Sequence, residues 1–201
     1  DSILLAPAGA GARVEGTVLL LGETDWIGGQ MNAAAVSSMG EGGTLVRKRG
    51  LYREWCGLVA SHYQPLGINF MTAYWNSHTC LEPRVGRHLL HVLLGDARGK
   101  GVLDLVERAR VSEVIKKGDT VTGVEVVDLM EKSGRTRAIQ CRVLIDATEW
   151  GDVIPLTGAR YRVGNCTSDA SEVKRRLNDN TWTAVVKQYP QGVPEELRIK
   201  E

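Results

Sequence analysis

The apolar run at residues 17–21, followed by Glu23-Thr24-Asp25-Trp26-Ile27-Gly28-Gly29-Gln30, constrains this chain more than any other stretch. A Val- and Leu-rich run ending in polar and turn residues reads as a buried strand. Such a strand is covered on both faces in a parallel sheet, so its side chains need not alternate. The C-terminal edge of an open α/β sheet is where ligands bind. A carboxylate there can accept hydrogen bonds from ribose hydroxyls, and Gly28-Gly29, lacking Cβ atoms, lets backbone approach a flat or phosphorylated ligand. Strand, acid, short spacer and Gly-Gly form the second half of a dinucleotide-binding unit. The same string also makes an ordinary βα loop, and spacing alone does not separate the two readings.

The first half of such a unit is a strand, G-x-G-x-x-G and a helix. Residues 9–14 offer only Gly9 and Gly11, with Val14 where Gly or Ala is required. The next strand follows at once and leaves no room for the helix. The expectation is therefore an α/β domain apparently incomplete at its N-terminus, either a piece of a larger protein or one that has lost its pyrophosphate site.

Further along, residues 51–63 carry apolar side chains at Leu51, Trp55, Leu58 and Val59, which is helical spacing. Residues 68–79 read as irregular and cavity-lining. Glu82-Pro83-Arg84 opens a second helix, since Pro suits the first turn and an acid suits the positive end. Its buried stripe is Val85, Leu89, Val92 and Leu93, and Gly95, Gly99 and Gly101 end it. Residues 102–105 read as a short strand or as more helix. Residues 110–115, 120–128 and 136–145 read as three strands joined by turns at Gly118 and Gly134. A final apolar strand at 143–148 ends in Glu149-Trp150-Gly151-Asp152, a second candidate crevice edge. The plainer reading there is a strand-to-helix loop capped by Asp152. A domain over 1–164 is expected, with 165–201 a further segment or extended tail that includes a strand near 181–186.

Several of these strings, in order, resemble the FAD-dependent oxidoreductase family of the two-dinucleotide-fold flavoproteins. They are residues 24–30, Glu82-Pro83-Arg84-Val85, the meander, residues 146–152 and residues 181–187. The resemblance implies a Rossmann-like FAD-binding domain, a parallel sheet with an inserted β-meander, and non-covalent FAD. It implies that Glu23, Thr24, Gly28, Gly29 and Gln30 lie along the ribose and dinucleotide. Val111 would offer backbone groups to the adenine. Ala147, Thr148, Glu149, Gly151 and Asp152 would approach from the second crossover. Two departures stand out. The family's acid falls at Gly22, so Glu23 is one residue late, and the glycine loop is not recognisable.

Composition narrows the partners. A net charge of +1 argues against a polyanion-binding surface, and no apolar segment is long enough to span a bilayer. The expected partner is a small-molecule substrate, with self-association through apolar surface left exposed by an incomplete sheet. Cys56, Cys80, Cys141 and Cys166 show no CxxC pairing, and Cys141 reads as a buried thiol. Dispersed cysteines suit a reducing, cytoplasmic setting, although a mature exported chain would read the same.

No catalytic residue is assigned, because in a flavoenzyme the cofactor carries the electrons. His78 and Cys80 would point to opposite faces if extended. His62 stands apart, and His88 and His91 lack a carboxylate to complete a metal set. The leading expectation is an FAD-dependent oxidoreductase, or part of one, moving hydride from a small organic substrate to flavin. The alternative is a non-catalytic α/β interaction module that kept the scaffold.

Overall fold

The computed structural model describes residues 2–5 (backbone alone), 16–41, 49–69, 79–164, 183 and 189–198. Strand β1 (Ser2–Leu5) and strand β2 (Val18–Gly22) come first, then a 3-10 turn (Gly29–Met31). Helices α1 (Gly50–Tyr63) and α2 (Pro83–Gly99) lead to β3 (Leu103–Glu107). The meander is β4 (Ala109–Lys117), β5 (Thr120–Asp128) and β6 (Thr136–Gln140). Strand β7 (Ile145–Ala147) and the one-turn helix α3 (Ile154–Thr157) follow.

The first sheet has the order β3-β2-β1-β7, and the meander forms the second. β2 and β3 are parallel, while β1 is antiparallel to both β2 and β7. β2, β3 and β7 therefore run the same way, with β1 reversed between them. The layout is a Rossmann-like α/β domain with an antiparallel meander inserted before β7.

Two apolar clusters hold it. Leu21, Ala109, Val111, Val124, Val126 and Val153 are buried together between β2, the meander and α3. Trp55, Val59, Tyr63, Leu81 and Leu89 pack α1 on α2. Each fully buried side chain of this size stabilises by about 1.5–3 kcal/mol relative to exposure.

Several element boundaries and stripe positions differ from expectation. Helix α2 runs through Gly95 to Gly99, because glycine costs a helix only about 1 kcal/mol. Its buried stripe uses Leu90, and Val92 is 46% exposed. Leu51 is likewise exposed, and Tyr63 takes its place in the α1 core. The strand expected at 102–105 is β3 at Leu103–Glu107, after Gly101 turns the chain with φ 68°. The run at 136–145 is not one strand. It leaves the meander after Gln140, and the chain rejoins the first sheet at Ile145. Ile139, Cys141 and Leu144 pack on the same core, so a continuous apolar pattern spans the change of sheet.

The glycine segment at 9–14, His78, Cys166 and most of the expected strand at 181–186 lie outside the described residues. Among the described residues no helix is long and apolar enough to cross a membrane.

Candidate functional site

The crevice lies at the C-terminal ends of β2 and β7, beside the start of β4. Glu23, Arg110, Val111, Thr148 and Asp152 line one small cleft floored by Leu21 and Val153. Four of these were expected from sequence (Glu23, Val111, Thr148 and Asp152), and they arrive from three separate segments. A larger open hollow of about 550 Å³ lies between the β4–β5 hairpin and α3, where Arg142, Leu144 and Thr157 face it. None of the expected site residues lines that hollow. The hollow also has polar walls, with Asp119, Thr120 and Asp146, but the smaller cleft, of about 20 Å³, is where the expected residues meet, so it is the candidate site.

The loop after β2 is tied down from three directions. Thr24 folds it on itself: its Oγ1 donates to Trp26 O at 3.0 Å and accepts from Trp26 N at 3.2 Å. Arg108 Nη2 donates to Asp25 Oδ2 at 2.6 Å. Arg87 Nε donates to Asp25 O at 2.9 Å, and its guanidinium stands 5.9 Å from the centre of the Trp26 ring. Arg87 Nη2 and His91 Nε2 flank Glu107 at 3.7 and 3.8 Å. These pairs are solvated and screened by water, so their value is in fixing position. The Arg108 hydrogen bond holds the Asp25 carboxyl below its usual range. Burial lowers His91 and outweighs Glu107. Arg108 itself has φ 57°, a left-handed conformation that is uncommon for a side-chain-bearing residue.

Gly28 and Gly86 have a packing role. Asn32 is 2% exposed and its Nδ2 donates to Ile27 O at 2.6 Å. A Cβ on Gly28 would stand 2.8 Å from Leu90 Cδ1 and collide with Asn32, and Gly28 has φ 108°. A Cβ on Gly86 would stand 2.6 Å from Leu81 Cδ1 and also collide with Asn32. The two glycines let the loop and α2 close around the amide. Gly29 starts the 3-10 turn, and Gln30 is exposed while its carbonyl accepts from Val36 N at 2.8 Å. Thr24, Gly28, Gly29 and Gln30 therefore shape the loop, and Glu23 alone of this string lines the cleft.

On the β7 side the expected cap is corrected. Asp146, not Asp152, caps the turn that follows: Oδ2 accepts from Val153 N at 3.0 Å and Ile154 N at 3.1 Å. Its Oδ1 accepts from Thr148 N at 3.0 Å and Thr148 Oγ1 at 2.7 Å. Asp152 instead donates its N–H to Thr148 Oγ1 at 2.8 Å. Burial pushes the Asp146 carboxyl up, but the hydrogen bonds from Thr148, Val153 and Ile154 win and hold it below the usual range. Ala147 ends β7, Gly151 makes the turn with φ 71°, and Glu149 and Trp150 are exposed.

Among the other candidates, His62 meets Tyr63 edge-on, Cys80 is buried, and His91 faces Glu107. Cys141 is partly buried, which pushes its thiol up and away from thiolate chemistry. Among the described residues no three of His, Cys, Asp and Glu come together to hold a metal. Sequence reasoning missed Arg87, Arg108, Arg110 and the capping role of Asp146. The arginines carried no local signal, because their partners are 62 to 87 residues away in the chain (Arg87 with Asp25, Arg108 with Asp25, Arg110 with Glu23).

The parallel β2–β3 pair, the inserted meander and a strand-end cleft define a Rossmann-like nucleotide-binding domain. The profile of the FAD dependent oxidoreductase family matches residues 5–196, and the chain belongs to that family. No curated protein matches the chain. Membership makes this a flavin oxidoreductase chain in general terms, and FAD is the cofactor it implies. The fit of the residues to FAD is uneven. The cleft offers a carboxylate and a strand backbone suited to adenosine. At the diphosphate end β1 runs antiparallel to β2 and β7, and residues 6–15, which follow it, lie outside the described residues.

Proposed function

We propose that the adenosine part of FAD lies against the cleft, with Glu23 accepting from the ribose and the backbone at Val111 beside the adenine. The oxidoreductase of which this chain is all or part moves hydride from a small organic substrate to flavin. Thr148, Gly151 and Asp152 form the facing wall, and the loop residues Thr24, Gly28, Gly29 and Gln30 hold Glu23 in place. The observation that carries the reading is that Glu23, Val111, Thr148 and Asp152 line one cleft although they belong to three segments.

Visible spectra of the purified chain, with and without excess FAD, test it. Perturbation of the flavin bands that is lost in Glu23→Ala is the expected result. A colourless protein that leaves added FAD unchanged would favour the second reading, a non-catalytic module on the flavoprotein scaffold. One observation speaks for that second reading: the reversed direction of β1.

A further inference from the structure

The chain passes from the first sheet to the meander through one residue. β3 ends at Glu107 and β4 begins at Ala109, so Arg108 alone joins them, at φ 57°. A glycine takes that conformation freely, whereas an arginine there carries a conformational cost. A side chain held in such a region is over-determined by its surroundings, and such residues cluster at functional sites.

Arg108 ties two further segments to this junction. Its N–H donates to Thr24 O at 3.3 Å, and its carbonyl accepts from Leu129 N at 2.8 Å. Both are backbone bonds that a glycine would make equally well. Only the guanidinium is particular to arginine. Its Nη2 donates to Asp25 Oδ2 at 2.6 Å, and its Nη1 to Met130 Sδ at 2.9 Å. Thr24 and Asp25 follow directly on Glu23, the residue of this loop that lines the cleft. Beyond the buried Ala109, Arg110 faces Glu23 itself at 3.7 Å. The Arg108 and Asp25 side chains are 44% and 47% exposed, so solvent screens their pair and leaves it little weight in overall stability. What the strained arginine supplies is position, because it fixes the loop to the sheet junction beside Glu23.

We infer that Arg108 is a positioning residue for the cofactor, its guanidinium setting the loop that presents Glu23. This rests on the reading that FAD lies against the cleft.

Arg108→Gly tests it, because the change removes the guanidinium, keeps both backbone hydrogen bonds and relieves the positive φ. Arg108→Asn, which also tolerates that conformation, is the second variant, and Arg108→Lys the conservative one. The thermal midpoint of Arg108→Gly is expected to hold or rise. Hydrogen exchange in the peptide spanning residues 23–30 is expected to quicken, and the FAD dissociation constant, read from flavin absorption, to rise, each about two- to fivefold. Arg108→Lys recovers part of both effects, and adding Asp25→Asn to Arg108→Gly changes neither further. Three results overturn the inference: loop exchange like that of the wild type, faster loop exchange with FAD affinity unchanged, or a falling midpoint with exchange quickened throughout the chain. FAD binding that still depends on Glu23 then leaves the cleft reading standing. A wild-type chain that does not bind FAD, or binds it indifferently to Glu23→Ala, overturns both.

Discussion

Asp146 shows how one side chain organises a crevice wall. Its two oxygens receive four hydrogen bonds, from Thr148, Val153 and Ile154, and together these fix the turn that carries Asp152. Removing a carboxylate that caps backbone amides costs about 0.5–2 kcal/mol. Asp146→Ala is expected to lose that amount at pH 7, read from urea midpoints. The pH dependence has a definite sign. The carboxyl titrates lower in the folded chain than its ordinary value of 3.8. Its contribution is therefore complete above that value and is lost as pH falls through the lower folded value. As pH falls below about 4, wild-type stability should therefore fall more than that of Asp146→Ala. Parallel pH profiles for the two proteins would show that the carboxylate is not the cap.

At the scale of elements, the contact between the loop after β2 and helix α2 depends on absent atoms. Gly28 and Gly86 leave the space that the buried Asn32 amide fills. Two effects compete in a helical Gly→Ala change. Alanine gains about 0.5–1 kcal/mol in helix propensity, while overpacking a filled site costs about 1–3 kcal/mol. At Gly86 the added methyl meets Leu81 Cδ1 at 2.6 Å, so the cost wins. At Gly95, on the same helix, nothing stands within 4 Å and the gain wins. Gly86→Ala is expected to lower the thermal midpoint and Gly95→Ala to raise it. Stabilisation by both would show that Asn32 is not locked in place.

For the whole molecule, the notable surface follows β7. Among the described residues β7 has a strand partner on one side only. Trp150 is 76% exposed and Tyr161 52%, with Ile154 and Leu156 also exposed nearby in the chain. An unpaired strand edge beside exposed apolar side chains promotes association. Sedimentation velocity is expected to show concentration-dependent association that Trp150→Lys reduces. A single monomeric species across the concentration range would refute this.

The sequence by itself determined the elements and their class. The apolar run ending at Leu21, the Trp55 and Val59 spacing, the Pro83 start of α2 and the Gly118 hairpin are local patterns set by backbone geometry and side-chain period. The ordered strings from Thr24 to Asp152 were enough to point to the family. The tertiary structure alone decided the direction of β1, because a four-residue apolar strand reads the same whichever way it pairs. It decided where the run after Thr136 changes sheet, since Ile139 and Leu144 serve one core from two sheets. It also assigned the cap to Asp146 and gave Gly28 a packing role, and it set Arg110 beside Glu23. Those relations join positions far apart in the chain or depend on the filling of space, and neither leaves a period in a sequence.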